Sequence, residues 1–125
     1  MCITNVHKNK ISVIKKMLVD LLTRYSVLLN SGRLSEEGKL KILRYVDIVN
    51  TVIQDMNNFT NTVKSNNSKL ICSDSGLLLE KTRSIYMDLS IDEPALLLRA
   101  YIYQFIDCLK EIKSECCMKL PEIAK

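Results

Sequence analysis

The residues best suited to chemistry in this chain are five cysteines, Cys2, Cys72, Cys108, Cys116 and Cys117, one histidine, His7, and carboxylates grouped at Asp92-Glu93 and Glu111/Glu115. Zinc is held by cysteine and histidine at short fixed spacings. Here there is no C-x-x-C pair and only one histidine, so no metal or other cofactor is expected. General acid–base catalysis needs a base oriented by a second group, and His7 lies in a basic end, off the apolar pattern described below. Glu111 and Glu115 stand one helical turn apart beside Lys110 and Lys113, as on a charged surface. No phosphate-cradling glycine loop, nucleophile elbow or H-E-x-x-H occurs, so no catalytic residues are expected and the chain reads as non-enzymatic.

The odd thiol count, with a polar Met1–Lys10 lacking the apolar stretch of a secretory leader, points to a reducing, cytoplasmic setting with five free thiols. Cys108 and Cys116 then read as small buried hydrophobes. The alternative is a secreted, cytokine-like helical ligand, in which Cys72 would pair into the C-terminal cysteine cluster. Two N-glycosylation triplets, Asn58-Phe59-Thr60 and Asn66-Asn67-Ser68, belong to that alternative.

The elements that must position these groups are helices. Apolar residues recur at alternating steps of three and four, which keeps a row of side chains on one helical face. The first row is Ile11, Ile14, Leu18, Leu21, Tyr25 and Leu28; the second is Ile42, Tyr45, Val49, Val52, Met56, Phe59 and Val63. The third is Leu78, Thr82, Ile85 and Leu89, and the fourth is Leu98, Ile102, Phe105, Leu109, Ile112 and Cys116. With 47% hydrophobic residues, three glycines and two prolines in 125 residues, the chain is too apolar for disorder and too poor in breakers for a strand-and-turn fold. Its length suits one domain spanning 1–125. No apolar run reaches the ~18 residues a membrane span needs.

Stop and start signals divide the pattern. Asn30-Ser31-Gly32 ends a helix begun near Lys8, with Gly32 suited to the left-handed conformation. Ser35 caps a second helix carrying Glu36 and Glu37 in its first turn and running to about Lys64, with Gly38 and Asn57-Asn58 as places to fray or bend. Ser65 to Gly76 reads as a polar loop, leaving a short third helix over 77–89, capped by Ser73, Asp74 or Ser75. Ser90 and Glu93 have capping-box spacing, so a fourth helix is expected from about Ile91 to Cys117 or Met118, stopping before Pro121. Short connections favour an all-α, antiparallel up-down-up-down four-helix bundle with a long second and a short third helix. One end of the core would be under-covered, leaving room for a second copy or a partner helix.

Two surfaces are candidates for binding. The fourth helix is apolar beyond its row, and so is Leu77 beside Leu78, making Leu77, Leu97, Tyr101 and Tyr103 candidate contacts for a protein partner or a homo-oligomer. Tyr101 and Tyr103 point about 160° apart, so one should face solvent. Lys8, Lys10, Lys15 and Lys16 carry the whole net charge of +4, because the remaining basic and acidic side chains balance. That end would meet an anion, a nucleic-acid phosphate or an anionic membrane surface, although no arginine precedes Arg24 and no aromatic precedes Tyr25. No small-molecule substrate is implied. Lysine outnumbers arginine 13 to 5, a usage typical of AT-rich coding sequences such as those of many large DNA viruses. The expected function is therefore a helical interaction module: an adaptor, an inhibitor or a self-assembling factor, conceivable as a viral modulator of host signalling.

Overall fold

Thr4 sets where the chain first becomes helical. In a computed structural model, which describes residues Cys2 to Met118, its hydroxyl accepts from the His7 N–H at 3.3 Å while its own N–H donates to His7 Nδ1 at 3.4 Å. This is a capping box with histidine where glutamate or glutamine is usual. Helix α1 therefore runs Asn5–Asn30, three residues earlier than the sequence suggested, and His7 is buried rather than solvated. Gly32 adopts φ +72° and turns the chain toward α2, Glu36–Lys64, where Ser35 accepts from Gly38 N–H at 3.0 Å. The second helix is continuous through Gly38 and Asn57-Asn58, the places where the sequence suggested fraying or bending.

The largest departure from the sequence reading is in the third helix. Only Ser65, Asn66 and Asn67 separate α2 from α3, which spans Ser68–Asp88, so the expected 65–76 loop is mostly helix. Asn67 caps it by accepting from Leu70 N–H at 3.1 Å. Ser75 and Thr82 are buried, and their hydroxyls donate to the carbonyls of Cys72 and Leu78 on their own helix, at 2.9 and 2.7 Å. Asp74, one of the expected caps, instead accepts from Thr62 Oγ1 of α2 at 2.6 Å. Because α3 starts earlier, Ile71 is buried, and the core end expected to be under-covered is closed. At 21 residues α3 is nevertheless the shortest helix.

Helix α4 spans Glu93–Met118; the expected stop before Pro121 lies outside the described residues. Its cap is Asp92, which accepts from Ala95 N–H at 3.1 Å, and not Ser90. Asp92 Oδ2 also accepts from Tyr45 Oη at 2.7 Å and stands 3.1 Å from Lys41 Nζ. Tyr25 donates to Pro94 O at 2.6 Å, so both core tyrosines fasten the start of α4 to the far ends of α1 and α2.

Helix directions follow from which ends meet. Lys10 of α1 reaches Glu111 of α4, Lys15 of α1 reaches Asn57 of α2, and Lys81 of α3 reaches Asp55 of α2. Each neighbour is antiparallel, with α2 touching α4 across the diagonal: an up-down-up-down four-helix bundle. All of the second and fourth rows are buried. In the first row Leu28 is 39% exposed, because Tyr25 lies opposite the start of α4 and closes the core one turn earlier. In the third, Leu79 replaces Leu78 and Ile85, which are half-buried. Fully burying a large apolar side chain contributes roughly 1.5–3 kcal/mol, and these rows hold most of them.

Candidate binding surface

The last turn of α4 is where the chain's reactive groups gather. Cys116 and Cys117 are neighbours rotated by about 100° around the helix, so they meet different partners. Cys116 is disulfide-bonded to Cys2 in the segment preceding α1, and Cys117 to Cys72 in the second turn of α3. Five free thiols are thus replaced by one, Cys108, and the bond from Cys72 into the C-terminal cluster is the one foreseen for the secreted alternative. Burial, together with the nearby Glu111 charge, pushes the Cys108 thiol up to about 11 despite Lys10. It is therefore an inert core residue at neutral pH. Among the described residues no three His, Cys, Asp or Glu side chains converge as a metal site.

The four lysines do not make one patch. Lys10 pairs with Glu111 at 3.1 Å on the α4 side, Lys15 donates to Asn57 Oδ1 at 2.6 Å on the α2 side, and Lys8 borders a hollow with Thr60 and Lys64 of α2. Lys16 is exposed. Their charge is spread over several flanks of α1 and partly neutralised.

The four apolar candidates also separate. Leu77 is 66% exposed and borders a hollow with Asp55, Asn58 and Thr62 of α2. Tyr103, 48% exposed, lies with its ring 5.7 Å from that of Tyr86 on α3, and Arg99 stacks on the other aromatic with its guanidinium carbon 4.5 Å from the Tyr86 centroid. Arg99 also donates to Leu89 O at 3.0 Å, closing the C-terminus of α3. Tyr101 is half-buried against the core. Leu97, 39% exposed, is seven and fourteen residues before Gln104 and Glu111, in the column of α4 that faces α1.

That column borders an open, mainly apolar groove of about 530 Å³ between α1 and α4. Val6, Val13 and Ile14 form one wall, with Gln104, Asp107 and Cys108 opposite and Lys10 and Glu111 at the rim. Val6 and Val13 are 60% and 54% exposed. Neither stood out in the sequence, since both lie off the first row; the signal was there, as two valines one heptad apart on a face that otherwise carries polar residues. No helix of the described residues is long and apolar enough to cross a membrane.

These features define a class, a disulfide-tied antiparallel four-helix bundle with an open apolar groove. No protein-family model matches the chain, and neither does any curated protein or solved structure with which it was compared.

Proposed function

We propose that this protein is a non-enzymatic helical ligand of an oxidising compartment, secreted or otherwise outside the reducing cytosol, that binds a protein partner through the α1/α4 groove and its apolar flank. The observation that carries the reading is the pairing of four of five cysteines, Cys2 with Cys116 and Cys72 with Cys117, because such bonds persist where thiols are not kept reduced. It favours this reading over that of a cytoplasmic module with five free thiols. Support for the groove comes from exposed Val6 and Val13 beside a charged rim of Lys10 and Glu111, with exposed Leu97 two turns before Gln104 on α4, an apolar strip with a polar border of the kind protein interfaces use. The scattering of Lys8, Lys10, Lys15 and Lys16 weighs against a nucleic-acid or membrane-surface role.

Two measurements test it. Alkylation followed by intact mass should find no reactive thiol in the folded oxidised protein, one after unfolding and five after reduction. The oxidised protein should also bind saturably to the surface of intact cells from its source, with Val13→Asp and Leu97→Asp abolishing binding while leaving the thermal midpoint within a few degrees. Five thiols reactive without reduction, or binding indifferent to both substitutions, refutes the reading.

A further inference from the structure

The two Asn-x-Ser/Thr triplets have different surroundings once the chain is folded. Asn58 lies within α2, where its Oδ1 accepts from Gln54 Nε2 at 3.4 Å, Thr60 Oγ1 donates to Met56 O at 2.9 Å, and Phe59 between them is 3% exposed. Asn66 lies in the three-residue turn between α2 and α3, exposed and at φ +57°, with its backbone N–H donating to Val63 O at 3.1 Å. Among the described residues its side-chain amide makes no hydrogen bond, and neither does the hydroxyl of Ser68. The intervening Asn67 is turned away onto Leu70 N–H. The acceptor amide and the hydroxyl two residues on are therefore free in the second triplet, whereas in the first the amide oxygen and the hydroxyl are engaged within the helix and the residue between them is buried.

We propose that Asn66 is the acceptor of an N-linked glycan, a modification that rests on the oxidising-compartment reading above. The donor class is an oligosaccharide joined to a lipid through pyrophosphate. Asn66 Nδ2 bonds to the anomeric carbon of the first sugar, the bond from that carbon to the pyrophosphate oxygen breaks, and the lipid pyrophosphate leaves with the electron pair. The amide gives up one proton to the transferring enzyme's base. Ser68 is the recognition hydroxyl, and the proline-free middle position is met by Asn67. The turn contributes nothing to the lining of the α1/α4 groove, so a glycan there leaves the groove open. It also stands next to Leu70, an apolar side chain left 42% exposed in the first turn of α3.

The test is expression of the full chain behind a cleavable leader in eukaryotic secretory cells, followed by peptide:N-glycosidase treatment, peptide mass spectrometry and a thiol count. The wild type is expected to carry one glycosidase-sensitive addition at Asn66, lost in N66Q and S68A and kept in N58Q and S68T. A correctly disulfide-bonded wild type without the addition overturns the acceptor assignment alone. So does an addition found only at Asn58. A secreted wild type with five free thiols overturns the compartment reading and this proposal with it.

Discussion

Asp92 shows how much one side chain settles at the end of the bundle where α3 passes to α4. Burial raises its carboxyl, but the hydrogen bonds from Tyr45, Lys41 and the Ala95 N–H outweigh that, and its pKa falls below the ordinary value of 3.8. A depressed carboxylate contributes stability above its unfolded pKa and loses it as pH falls through the folded one. Asp92→Asn should therefore lower the thermal midpoint at pH 7, and the gap to wild type should close below about pH 4, measured by thermal melts across pH. Lys41 is raised from 10.5, chiefly by its hydrogen bond to Asp92, so its share is lost on the alkaline side. Tyr103 tests a second residue-scale point. Its ring is half exposed against Tyr86, so Tyr103→Ala should cost about 1 kcal/mol or less, read from denaturant unfolding. Phe59→Asp or Leu109→Asp, by contrast, places an unpaired charge in the core and should unfold the domain, seen as lost helical circular dichroism.

Among the elements, the core rows of α2 and α4 were legible because each of their positions carries an apolar side chain at steps of three and four and is buried, although Ile106 and Cys108 of α4 are buried beside the row. Half of α3 was not. Ser68, Ser73, Asp74, Ser75 and Gly76 have the composition of a loop, and nothing in the sequence alone says that buried hydroxyls will be satisfied by carbonyls of their own helix. The same blindness hid the capping box at Thr4, whose fourth member is His7. The Cys2–Cys116 bond was out of reach for a different reason: an odd count argues against bonds, and only the return of α4 to the start of α1 brings Cys116 to Cys2. One consequence at this scale is measurable at Gly76. A Cβ there would meet only Lys113 Cε, at an ordinary 3.6 Å, so the residue carries the flexibility cost of glycine inside a helix with no steric need for it. Gly76→Ala should raise stability by about 0.5–1 kcal/mol, as a higher urea midpoint. Gly32→Ala should lower it, because φ +72° penalises any Cβ.

For the whole molecule, the two disulfides close loops with sequence separations of 114 and 45 residues. Chain-entropy arguments assign about 5 and about 4 kcal/mol to loops of those sizes taken singly, with less for both together because the loops overlap. Cys72→Ser with Cys117→Ser should remain helical at 25 °C and melt roughly 10 °C or more below the wild type by calorimetry. An unchanged midpoint would show that the Cys72–Cys117 bond adds nothing to what helix packing and the Cys2–Cys116 bond supply.

Cys2 and Cys116 are joined although almost the whole chain lies between them, which turns the polypeptide into a covalent ring. A ring cut once is still one piece. Arg33 is exposed in the short connection after α1, and cleavage after it would leave the first helix covalently joined to the rest only through the Cys2–Cys116 sulfurs. Limited trypsin digestion should thus give a nicked protein that migrates as a single species without reductant and falls into two when reductant is added. Outside a cell, such a ring survives a first encounter with a protease as an intact, assembled molecule.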